Sequence, residues 1–133
     1  MHTIRYSKAV DKPESALDIE AARAYHRTRE AQRLAVREQV RLDWFERARA
    51  AVLRLAPEHP QVRRVYLFGS VVQPGRFRSD SDIDVAVDAG TPEAESAFWA
   101  ALEQALRHDV DLRPLAGPLV EIVTQTGELI YEG

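Results

Sequence analysis

Two aspartates, Asp82 and Asp84, flank Ile83 at the start of an apolar stretch that continues through Val85, Ala86 and Val87. Side chains at i and i+2 of a strand point the same way. The two carboxylates are therefore predicted to share one face, while Ile83, Val85 and Val87 enter a core. Carboxylates held side by side repel unless a cation lies between them. Magnesium suits that gap, because it is a hard cation held by one or two carboxylates together with substrate phosphates. Gly69-Ser70 precedes the pair across eleven intervening residues and closes the apolar run Val65-Tyr66-Leu67-Phe68. A Gly-Ser bend offers a residue without Cβ, exposed backbone N–H groups and a hydroxyl, which together suit a phosphate. A metal on one strand and a phosphate cradle on the neighbouring turn predict a site for a metal-bound nucleoside triphosphate, ATP or another NTP. The structural alternatives are a polar loop entering an edge strand for Asp82 and Asp84, and a turn glycine with a helix cap for Gly69-Ser70.

Further polar residues fall near this pair. In a strand predicted over 109–114, Asp109, Asp111 and Arg113 share a face while Val110 and Leu112 are buried. Either aspartate is a candidate third carboxylate, with a solvated strand residue as the alternative. Arg76 and Arg78 sit in the connecting loop, where a guanidinium either reaches a triphosphate or stays solvated. His2, His26, His59 and His108 are scattered without ligand spacing and read as surface residues. Trp44, Phe45, Phe98 and Trp99 read as core or interface. Gly69-Ser70 lacks the Gly-Lys-Ser/Thr of a P-loop.

Gly69-Ser70, eleven residues, then Asp82-Ile83-Asp84 resembles the signature of the polymerase-β-like nucleotidyltransferase superfamily. The resemblance covers about residues 50 to 133. The small chain is most similar to the minimal nucleotidyltransferases paired with HEPN-domain proteins as toxin–antitoxin systems. The resemblance implies that Asp111, in its Val-Asp-Leu context, is the third carboxylate. It implies catalysis and metal binding at Asp82, Asp84 and Asp111, nucleotide contacts at Gly69, Ser70, Arg76 and Arg78, and two Mg2+ ions. It further implies AMP transfer from ATP to a hydroxyl of a HEPN-type partner protein, with this chain as the antitoxin. Many members have a small or basic residue soon after Gly-Ser and a ten-residue gap. This chain has Val71-Val72-Gln73-Pro74 and a gap of eleven, so the loop is altered and the carboxylates are not. The competing functions are a catalytically silent partner that neutralises a toxin by binding, and a small-molecule adenylyltransferase of the aminoglycoside-modifying kind. Activity on an aminoglycoside would single out the last.

Composition bounds these readings. A chain of 133 residues, 45% hydrophobic and 29% charged, fits one globular domain without room for a second substrate domain. The absence of cysteine excludes disulfides, thiolate zinc sites and a Cys nucleophile. No apolar run approaches membrane-spanning length, so a cytoplasmic protein without membrane contact is expected. The net charge of −3 splits unevenly: residues 1–60 carry twelve Lys/Arg and nine Asp/Glu, residues 61–133 six and twelve. The acidic half fits metal binding and argues against direct nucleic-acid binding.

The elements that must position the site follow from pattern. Residues 1–13 read as an irregular lead, and Ser15 is a candidate helix cap. From 14 to 56 there is neither Gly nor Pro and the composition favours helix. One helix of that length would span about 60 Å, against a radius of gyration near ~14 Å for a domain of this size, so the segment either divides or projects. Val40, Trp44, Ala48, Ala51, Val52 and Leu55 form a face that packs on a sheet. Leu17, Ala21, Ala24, Ala31 and Leu34 make a thinner seam, suited to helix–helix contact with another chain (a homo-oligomer through the N-terminal helix included), to a fold-back onto this chain, or to solvent. Strands are predicted at 62–68, 82–87, 109–114 and 128–131. A short helix is predicted near 70–73, with longer ones from Pro92 to about Arg107, burying Phe98, Ala101, Leu102, Ala105 and Leu106, and from Pro118 to about Gln125. The expected fold is α/β: a small mixed sheet packed with helices (41–133, the nucleotidyltransferase domain) behind a long N-terminal helical arm (1–40).

Overall fold

The computed structural model describes residues 16–133. The lead over 1–13 and the Ser15 cap lie outside the described residues. Two compact units divide between Val36 and Arg37. A single helix, α1 (Ala16–Leu55), supplies the described part of the first unit and enters the second. It is one helix rather than two because no Gly or Pro interrupts it. Pro57 ends it, within a short 3-10 turn, Ala56–Glu58.

The second unit is built on a four-stranded sheet of β1 (Arg64–Phe68), β2 (Ile83–Asp88), β3 (Val110–Pro114) and β4 (Glu128–Glu132), in spatial order β3-β2-β1-β4. β1 pairs antiparallel with β2 and with β4, while β2 and β3 run parallel. A parallel pair needs a crossover, and α2 (Pro92–Leu106) provides it. Thr91 caps that helix by accepting the Ala94 N–H at 3.1 Å, Pro92 occupies its first turn, and Arg107 closes it in the left-handed conformation at φ 51°. α3 (Pro118–Thr126) leads into β4 through Gly127, where a Cβ would lie 2.8 Å from the Val123 carbonyl and 3.0 Å from that of Leu67. The mixed sheet with its helices and long N-terminal helix is the α/β architecture expected.

Alternate side chains of β1 and β2 put Val65, Leu67, Ile83, Val85 and Val87 in the core, and Ala86 is buried as well. There they join Ala48, Ala51, Val52 and Leu55 of α1 and Phe98, Leu102 and Leu106 of α2. Val40 and Trp44 pack against this cluster. Each fully buried aliphatic or aromatic side chain is worth roughly 1.5–3 kcal/mol of transfer free energy, so this cluster holds the sheet rigid. Ala105, expected inside, is exposed, because the buried face of α2 runs through Phe98, Leu102 and Leu106 and turns it outward. Three strands begin one or two residues later than predicted, so Asp82 and Asp109 stand just ahead of β2 and β3. The outer edge of β3 is covered at its first residue. The Trp99 Nε1–H donates to the Val110 carbonyl at 2.7 Å, and Glu103 Oε2 accepts the Val110 N–H at 3.0 Å. Among the described residues no helix is long and apolar enough to cross a membrane.

Candidate active site

Strand register sets the carboxylates. Asp84 in β2 is the Cα partner of Asp111 in the parallel neighbour β3, and of Phe68 in β1 on its other side. Partners in adjacent strands project from the same face, so Asp84 and Asp111 stand side by side. Both are half-buried, whereas Asp82 is exposed. Burial, then the Asp111 charge, then the Asp82 charge push the Asp84 carboxyl up from 3.8 to about 6, with Arg113 opposing. Asp111 and Asp82 thus both bear electrostatically on Asp84. Arg113 Nη2 donates to Asp111 Oδ2 at 3.1 Å and partly neutralises it. Asp109, the weaker candidate, is exposed, and its carbonyl accepts the Ile83 N–H at 3.0 Å.

Gly69 follows β1 directly and adopts φ 73°, a left-handed conformation that favours glycine. A Cβ there would stand 2.1 Å from Asp84 Oδ2. The glycine is therefore required for a second reason besides its φ: it lets the Asp84 carboxylate lie against the backbone of the bend. Ser70 is partly exposed in the 3-10 turn Gly69–Val72. That turn is the short helix expected near 70–73, displaced by one residue.

The loop from 73 to 81 is less polar than it reads, because Phe77 is 2% exposed and tethers it to the core. Arg76 and Arg78 are exposed on either side of that tether. The Arg78 N–H donates to Ser81 Oγ at 3.0 Å, and the Ser81 N–H returns to the Arg78 carbonyl at 2.9 Å. His108, read from sequence as a surface residue, is half-buried. Its Nε2–H donates to the Ser81 carbonyl at 2.6 Å and its ring packs on Trp44 at 4.3 Å between centroids. His59 accordingly bonds the Leu55 carbonyl at 2.9 Å and meets Phe98 edge-on. Both histidines are structural anchors.

Arg41 escaped the sequence reading. It is 9% exposed and donates through Nη1 to the Val71 carbonyl at 3.0 Å. Its Nε donates to Glu38 Oε2 at 3.0 Å, and Nη2 bonds the same oxygen. These bonds and the Gly75 N–H hold the Glu38 carboxyl below the usual carboxylate range. The available signal was its place on the α1 stripe, beside Val40, Trp44 and Ala48.

The donor chemistry suits a hard divalent cation: hard oxygens only, an excess of negative charge at Asp84 and a neighbouring bend for phosphate. Among the described residues no three acidic or histidine side chains converge as a metal-holding group by themselves. Magnesium does not require that, since substrate phosphates and water commonly complete its octahedron. Asp82, Asp84 and Asp111 are the residues that fit this incomplete set.

A registered carboxylate pair beside a Gly-Ser bend on this mixed sheet defines a nucleotidyltransferase. The chain belongs to that family, whose model, described as Polymerase beta, Nucleotidyltransferase, matches residues 51–133. No curated protein matches the chain. Among solved structures it is similar to a chain of a toxin–antitoxin crystallised with AMP-PNP, at 30% identity and TM-score 0.55, covering 64% of this chain and 73% of the other. It is also similar to a chain of a MntA-HpeT toxin–antitoxin mutant bearing two Asp-to-Glu substitutions, at 28% identity and TM-score 0.54, with coverage of 64% and 73%. A complex of tri-AMPylated Shewanella oneidensis HEPN toxin with MNT antitoxin is similar at 28% identity and TM-score 0.48, covering 65% and 71%.

Proposed function

We propose that this chain moves AMP from ATP onto a hydroxyl of a partner protein in a magnesium-dependent reaction, and that the partner is a HEPN-type toxin. The observation that carries this reading is Asp84 registered beside Asp111 and lying against Gly69. Family membership supports nucleotidyl transfer as the reaction class. Similarity to a toxin–antitoxin chain crystallised with AMP-PNP supports an adenine nucleotide and a protein partner.

Asp82, Asp84 and Asp111 would hold magnesium, as one ion or two. When bound, the metal neutralises triphosphate charge and lowers the pKa of an acceptor hydroxyl. Gly69 and Ser70 offer backbone N–H groups and a hydroxyl to the phosphates, and Arg76 and Arg78 supply positive charge from the loop. The acceptor oxygen forms its bond to the α-phosphorus in line with the leaving group. The bond from that phosphorus to the bridging oxygen breaks, pyrophosphate departs, and the hydroxyl proton passes to a carboxylate or water. Most of the rate enhancement comes from alignment and charge neutralisation, which adjacent strands of one sheet can provide.

The test is transfer of label from α-labelled ATP to a purified HEPN protein, with magnesium and the full chain. Labelling by the unmodified chain and none after joint substitution Asp82→Asn and Asp84→Asn is the expected result. Neutralisation of the toxin without labelling would establish the silent-binder alternative instead.

A further inference from the structure

The loop that follows the Gly-Ser bend is gripped at both ends by one short segment of α1. Arg41 Nη1 donates to the Val71 carbonyl at 3.0 Å, one residue past Ser70. Glu38 Oε1 accepts the Gly75 N–H at 3.1 Å, and Arg37 Nη2 donates to the Gly75 carbonyl at 3.2 Å, one residue before Arg76. Glu38 and Arg41 are joined to each other as well. Residues 37, 38 and 41 share a helix face by the i, i+3, i+4 rule. All three lie before residue 51, where the family match begins.

Arg41 is the one charged residue buried among the described residues. A guanidinium out of water is costly unless its donors are paired, and here they go to a carboxylate and to the loop backbone. A buried, fork-shaped cation with fixed partners leaves its loop carbonyl little freedom. The segment it helps to hold, 71–75, joins the bend to Arg76, so its placement sets where the Ser70 amide and hydroxyl face and from where Arg76 reaches.

We propose that Glu38 and Arg41, with Arg37 in support, are positioning residues that fix the loop for the triphosphate. This rests on the nucleotide-transfer reading above and extends it to a part of the chain outside the family match. The three residues touch neither phosphate nor metal. They act through the backbone of residues 71 to 75, and they keep it in the bound geometry before the nucleotide arrives, which lowers the ordering cost of binding.

The experiment is calorimetric titration of the full chain with the magnesium complex of a non-hydrolysable ATP analogue, alongside the melting temperature of each variant. Glu38→Ala and Arg41→Lys are expected to weaken binding about tenfold, the loss of one charge-assisted hydrogen bond. Glu38→Gln, which keeps an acceptor for the Gly75 N–H, recovers part of the affinity. Leu53→Ala, an exposed change on the same helix, leaves it unchanged. All titrations are run well below each melting temperature, so a purely structural role would leave affinity intact. Binding by the unmodified chain with equal affinity in Glu38→Ala overturns the positioning role and leaves the transfer reading standing. No binding by the unmodified chain overturns the transfer reading and the positioning role together. Should Arg41→Lys fail to fold, Glu38→Ala decides, because the Glu38 side chain is 33% exposed and its loss spares the core.

Discussion

Asp84 and Asp111 are placed by strand register, whereas the loop from Val71 to Gly75 is placed by side chains of a helix. The first arrangement is backed by a continuous apolar core behind β1 and β2, and no single side chain decides it. The second depends on three polar residues and one buried aromatic, Phe77. A site built this way has a carboxylate floor that resists substitution elsewhere and a wall that a single change can loosen. Chemistry on the rigid part and adjustment on the loop is a common division of labour in enzymes.

The contrast can be broken from either side. The largest effect is expected from the floor: the joint change Asp82→Asn and Asp84→Asn should reduce AMP transfer on the order of a thousandfold, with the fold retained by circular dichroism. Gly69→Ala comes next. Its φ of 73° and the 2.1 Å approach to Asp84 Oδ2 should destabilise the fold by about 3 kcal/mol, read by urea denaturation. Arg41→Met strips the partners from the Val71 carbonyl and Glu38 and should cost about 2 kcal/mol. A cost for Arg41→Met above that for Gly69→Ala would mean that the wall, not the floor, carries the fold.

The smallest effect has the opposite sign. The Asp84 carboxyl, raised to about 6 in the fold against 3.8 unfolded, favours folding fully below pH 3.8, and that contribution is lost as pH rises through about 6. Asp84→Asn alone should therefore stabilise the metal-free chain at pH 8, by about 1 kcal/mol once screening at a half-exposed group is allowed for. Magnesium–nucleotide binding should run the other way and strengthen as pH rises through 6, because the ligand is the ionised carboxylate. Parallel pH trends for stability and binding would refute the assignment of Asp84.

The floor was legible in the sequence because period-2 alternation in Ile83-Asp84-Val85 and Val110-Asp111-Leu112 states which side each residue takes, and a parallel crossover brings such strands together. Turn chemistry likewise announced Gly69 and the helix start at Pro92. The wall was not legible. Arg41 and Glu38 look like any arginine and glutamate on an Arg-rich helix, and only the approach of Val71 and Gly75 in space gives them partners. Phe77 sat among Gly, Arg, Ser and Asp, where one aromatic gives no period. The single-helix form of α1 was not legible either, since composition permits a long helix without fixing whether it divides or runs on.

The covering of Val110 by Trp99 and Glu103 bears on more than local bonding. An open strand border invites another polypeptide to zip alongside, and here the border nearest Asp111 is already occupied where it starts. A strand seeking to pair there would find the first position of that border already taken. An acceptor of the kind proposed above would then meet the carboxylates from the face of the sheet on which Asp84 and Asp111 stand.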